Sequence, residues 1–143
     1  MNWKMLLPLT ILGPLMGVLV VMGQFPPGVD RFAWAGIVLT SAFYVAKRAP
    51  EAPVKHGFAI GFWNGAVSTL IQAFFVKTML ANNPWMVARF ANAPRGFDMQ
   101  FFVFMLVPFI GVAGGGITAL VAMLLRRAMR QPQSGPGGRQ THP

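Results

Sequence analysis

The chain has 143 residues, of which 55% are hydrophobic and only 10% charged, and its mean hydropathy is +0.54. An ordinary soluble domain carries about 25% charged residues, so this composition excludes one; it excludes a disordered chain too, and the length leaves room for one compact unit. The net charge is +9, from 12 Lys and Arg against Asp30, Glu51 and Asp98. The cations sit at the ends of apolar runs, the pattern of membrane-flanking anchors, so no nucleic-acid partner is expected.

Four apolar segments follow one another, each without a charged residue well inside it. A helix rises about 1.5 Å per residue and a bilayer core is about 30 Å thick, so about 20 residues cross it. The first segment, 5–23, fits. Lys4 before it resembles the start of a secretory signal, but Gly23-Gln24-Phe25-Pro26-Pro27 offers no small-residue cleavage site, so a retained helix is expected. Pro14 should bend it, with Thr10 satisfying the carbonyl that a proline leaves free. Gly13 and Gly17 form a small-xxx-small pair.

Pro26-Pro27-Gly28 marks a tight turn. The second segment, 32–46, is short, and spans only if Arg31 and Lys47 snorkel to the interfaces. Gly36 and Thr40 give it a second small-xxx-small pair. A turn through Ala49, Pro50, Glu51, Ala52 and Pro53 leads to the third segment, 57–76.

At 100° per residue, Gly57, Gly61, Asn64, Gly65, Ser68 and Gln72 fall on one arc of about 100°. Phe62, Trp63, Ala66, Leu70 and Phe74 fill much of the rest. The glycine ladder lets another backbone approach closely. The fourth segment, 99–125, repeats the pattern with Gly111, Gly114, Gly115, Thr118 and Ala122, and Pro108 should kink it. The two smooth faces are expected to pack together, with Asn64, Ser68, Gln72 and Thr118 hydrogen-bonding inside the interface. The other reading of the same residues is a polar path or ligand pocket.

Between the third and fourth segments, Asn83 can cap a short interfacial helix that starts at Pro84 and carries Trp85 at headgroup depth. Asp98 suits the start of the fourth helix, where an anion and a capping oxygen are favoured. After it, Arg126, Arg127 and Arg130 are placed to meet anionic lipid headgroups. The Pro/Gly/Gln-rich stretch 131–143 reads as a disordered cytoplasmic tail.

The expected fold is therefore all-α: a single unit over 1–130 with four transmembrane helices and a short interfacial helix between helices 3 and 4. Four spans put Lys4, Lys47, Arg48, Lys55, Arg126, Arg127, Arg130 and Arg139 on one side, against Arg31, Lys77, Arg89 and Arg95 on the other. That bias places both termini in the cytoplasm, with a bacterial inner membrane as the expected location.

No carboxylate lies within a span, and the two histidines are His56, at a helix end, and His142. This disfavours transport coupled through an intramembrane acid, and leaves no ligand pair for a haem between helices. Cysteine is absent, and so are the zinc-protease and nucleophile-elbow motifs. Ser68 and His56 lie about 18 Å apart along one helix, too far to form a catalytic pair. No catalytic, metal or cofactor site is expected. Small multidrug exporters also have four helices, but they depend on a membrane-embedded Glu that this chain lacks. The expected role is a subunit, assembly factor or modulator of a larger membrane complex, with a membrane-protein partner or a homo-oligomer. The alternative is a small oligomeric channel for a neutral or anionic solute along Asn64, Ser68 and Gln72.

Overall fold

The computed structural model describes residues 3–49, 51–94 and 96–130, with the side chains of these apart from residues 3–6 and 89. The tail expected over 131–143 lies outside the described residues. Within them the chain is all helical: α1 (Trp3–Thr10), α2 (Leu12–Val21), α3 (Val29–Arg48), α4 (Pro53–Phe74), α5 (Val76–Asn82), α6 (Pro84–Arg89) and α7 (Met99–Arg130).

Among the described residues α3 and α7 are long and apolar enough to cross a membrane, and the chain is a membrane protein. At 1.5 Å per residue the 32 residues of α7 extend about 48 Å, more than the hydrocarbon core needs. It runs as one helix through Pro108. Phe32, Leu39 and Phe43 of α3 and Phe101, Phe109 and Leu120 of α7 are exposed, as lipid-facing side chains are.

The other two expected spans are interrupted. The first is broken by a turn at Ile11, which divides it into α1 and α2. Pro14 causes the break, because its ring clashes with the carbonyl four residues back, that of Thr10. The third ends at Phe74, and α5 leaves it at 85°. No glycine or proline marks this bend. Burial holds it instead: Ala73, Val76 and Met79 share a core cluster with Met16, Val20 and Val21 of α2, and Phe74 meets Phe104 of α7 edge to face at 5.1 Å. The connection expected to hold one interfacial helix thus holds two, α5 and α6. The second starts at Pro84, where the sequence places it.

Helix directions follow from which residues meet. The Gly13 Cβ position faces Asn64 and that of Gly17 faces Ser68, so α2 runs parallel to α4. Those of Gly57, Gly61 and Gly65 face Ala119, Gly114 and Ile110 in turn, so α4 and α7 are antiparallel. Val45 of α3 clusters with Ala122 of α7, and Trp34 lies beside Ile110, so these two run parallel. The order is up, down, up, down, with α4 between α2 and α7.

The α4–α7 contact uses glycines in two ways. On α4, a Cβ at Gly61 would strike the Gly114 carbonyl oxygen, and one at Gly65 would sit 2.8 Å from the Ile110 oxygen. Backbone therefore meets backbone, and the reverse contact, 2.9 Å from the Gly114 Cβ position to the Gly61 oxygen, makes that pair reciprocal. This is the geometry of weak Cα–H···O contacts. On α7, Gly111 receives the Phe62 ring, 3.0 Å from its Cβ position, and Gly115 meets both the ring and the carbonyl oxygen of Phe58 at 2.9 Å. Gly61→Ala should therefore lower stability by about 1–3 kcal/mol, because its neighbour is backbone and cannot yield. Gly116 has nothing within 4 Å, and Gly116→Ala should be neutral or stabilising by up to about 1 kcal/mol. Unfolding in mixed detergent micelles, followed by circular dichroism, compares the two; equal losses would contradict this packing.

Candidate functional site

The residues that sequence singles out on α4 do not all serve the α4–α7 interface. Gly57, Gly61 and Gly65 face α7, while Asn64 and Ser68 face α2, each against a glycine. The arc of about 100° is wide enough to touch two neighbours, and periodicity alone cannot divide it.

Asn64 is 1% exposed, and its Oδ1 accepts the N–H of Gly13 at 2.9 Å. Gly13 lies in the first turn of α2, where a helix leaves N–H groups without carbonyl partners of its own. Ile11, before it, has helical backbone angles and makes no side-chain cap. Asn64 thus acts as an N-cap delivered from a neighbouring helix. Next to it, Trp63 Nε1 donates to the Thr10 carbonyl at 3.1 Å. That is the oxygen whose α-helical donor Pro14 cannot supply. Thr10, expected to mend this gap, donates its hydroxyl to Leu7 O at 2.7 Å instead. Two consecutive residues of α4 therefore satisfy an acceptor and a donor at one helix break.

The other end of α2 is held by the α5 arm. Gly23, at φ +68, closes the helix: Gln24 N–H bonds Leu19 O at 3.1 Å and Gly23 N–H bonds Val20 O at 3.0 Å. This is the Schellman pattern, and it needs the left-handed conformation glycine takes without strain. Asn82 Nδ2 donates to Val21 O and Asn83 Nδ2 to Val20 O, both at 2.9 Å. Asn83 also bonds Met79 O at 2.8 Å. It makes no side-chain bond to the helix it precedes, so the cap expected at Pro84 goes to α2. Asp98, by contrast, does cap α7, accepting Phe101 N–H at 3.0 Å.

The remaining residues divide by depth. Ser68 is fully buried and accepts a bond of 3.3 Å from Gln72 Nε2, one turn along the same helix. Thr118 is buried, its Oγ1 against Gly61. Asn64 and Ser68 are thus sealed within the chain. Two buried polar atoms in this core have no hydrogen-bond partner, Asn64 Nδ2 and Ser41 Oγ. Beside it, Trp34, Val38, Gly65, Ile110, Gly114 and Ile117 line an apolar groove of about 280 Å³. Trp85 is half-buried on α6, and Arg127 and Arg130 are exposed at the end of α7. Among the described residues no group of His, Cys, Asp or Glu could hold a metal ion.

Sequence reasoning missed Trp63, Asn82 and the part Asn83 plays. The signals were present: an indole beside an intramembrane amide, and two adjacent amides before a proline, each needing a partner in lipid. Asn83→Leu removes two bonds from a buried residue and should cost about 1–3 kcal/mol. Trp63→Phe keeps the ring but leaves Thr10 O unpaired, and should cost about 0.6–2 kcal/mol. Detergent unfolding midpoints measure both losses; no change in either would contradict the capping scheme. Comparison with protein-family models, with curated proteins and with solved structures gives no match.

Proposed function

We propose that the chain is a four-span protein of a bacterial inner membrane, with both termini in the cytoplasm, acting as a non-catalytic subunit, assembly factor or modulator of a larger membrane complex. Four spans are supported by register. Leu9 clusters with Ile60, Gly13 meets Asn64 and Gly17 meets Ser68, so α1 with α2 follows α4 over most of its height. The lysine and arginine bias supports the orientation.

One observation carries the role. The Gly36–Thr40 pair of α3 points outward: both residues are exposed, and nothing lies within 4 Å of the Gly36 Cβ position. Phe32 and Phe43 extend the same exposed face. Small-residue pairs in membrane helices are the places where another helix approaches closely. The corresponding pair on α2, Gly13 and Gly17, is already used against α4, so α3 offers the docking face. Of the polar groups of α4 that would line a solute path, Asn64 instead caps α2, and Gln72 and Ser68 bond to each other.

The test is purification of the tagged chain from its native membrane in mild detergent, with mass spectrometry of what accompanies it. A stoichiometric membrane partner is expected with the natural chain and is lost with Gly36→Leu, while Gly116→Leu retains it. A solitary or purely self-associated chain, unaffected by Gly36→Leu, would overturn this reading and favour the oligomeric channel.

A further inference from the structure

We infer that the end of the bundle where α3 and α7 finish together holds a binding site for the phosphate of an anionic phospholipid, with Arg126 as its inner ligand. The inference goes beyond docking at Gly36 and depends only on α3 and α7 crossing the bilayer.

Arg126 is the first charged residue after the long apolar run of α7, and Lys47 and Arg48 are the first after that of α3. The two helices run parallel, and Val45 of α3 and Ala49 just after it pack in one cluster with Ala122, alongside Tyr44 and Leu125. Their charged ends therefore lie at one level, at the boundary of the hydrocarbon. Arg48 is fixed there, its guanidinium 5.9 Å from the Tyr44 ring centre.

Arg126 differs from its neighbours. Arg127 and Arg130 are exposed, whereas Arg126 is half-buried and its Nε is sealed from solvent without a hydrogen-bond partner. A guanidinium remains charged at any physiological pH, and a buried charged donor left unpaired is strongly unfavourable. Its fork geometry matches the paired oxygens of a phosphate. The charge balance at this end agrees. Glu51, in the turn between α3 and α4, is the one acid set against Lys47, Arg48, Lys55, Arg126, Arg127 and Arg130. The α3 and α7 carbonyl ends each add only about half a negative charge. Basic pockets between membrane helices at headgroup depth are where anionic lipid heads bind. A lipid fits better than a free anion, because the site lies at the edge of the hydrocarbon, where the exposed apolar faces of α3 and α7 begin.

Native mass spectrometry of the full chain, released from an equal mixture of phosphatidylglycerol and phosphatidylcholine, tests the site. The natural chain should retain phosphatidylglycerol, and Arg126→Gln should reduce that preference about fivefold, the effect of one cation near the surface. Arg130→Gln should reduce it much less. Circular dichroism checks that Arg126→Gln folds; if it does not, Arg126→Lys, which keeps the charge and loses the fork, should show an intermediate loss. No preference in the natural chain, or equal losses from Arg126→Gln and Arg130→Gln, would overturn the site. Displacement of the lipid by millimolar inorganic phosphate would overturn the assignment to lipid and leave a free-anion site.

Discussion

A backbone amide or carbonyl in lipid has no water to fall back on, so a broken helix in this setting must find its partners in other helices. The bond from Gly13 N–H to Asn64 Oδ1 is where this chain meets that requirement. Pro14 interrupts the first helix, and α4 answers with an amide acceptor for the new N-terminus and an indole donor for the carbonyl left behind. The α5 arm does the same at the far end of α2, with two asparagine amides on the last carbonyls. A helix of 10 residues is thus suspended at both ends from the α4–α5 unit.

Glycine placement makes those bonds reachable. Asn64 is short, and its amide reaches the α2 backbone only because Gly13 and Gly17 present no side chains there. The bend at Phe75 has the same logic. It turns α5 across the end of α2, buries Val76 and Met79, and brings Asn82 and Asn83 to carbonyls they would otherwise pass. On the adjoining face of α4 the glycine ladder meets α7, where no hydrogen bonds are needed and close contact alone suffices. One helix therefore carries two kinds of interface, polar toward a broken neighbour and bare toward an intact one.

Apolar runs and turn residues made much of this fold legible in the sequence. The segment expected at 32–46 lies inside α3, that at 99–125 inside α7, and the helix expected at Pro84 begins there. The small-residue periodicity of α4 was also legible, but not the assignment of its parts. Gly61 and Asn64 are three residues apart and face different helices, a distinction set by crossing geometry rather than by spacing. The bend at Phe75 left no local mark, because side-chain burial and distant asparagines hold it. Thr10 was the nearest hydroxyl to the carbonyl Pro14 frees, yet Trp63, distant in sequence, reaches it. In each case a tertiary partner outweighed the local candidate.

The central claim is that Asn64 caps α2 from another helix. Selective glycine labelling gives NMR signals from 16 glycines, and Gly13 and Gly17 lie one turn apart on the same face of α2. In Asn64→Leu the Gly13 amide proton should move upfield as its acceptor is lost, while the Gly17 amide changes far less. A Gly13 amide resonance that is the same in both proteins would contradict the account.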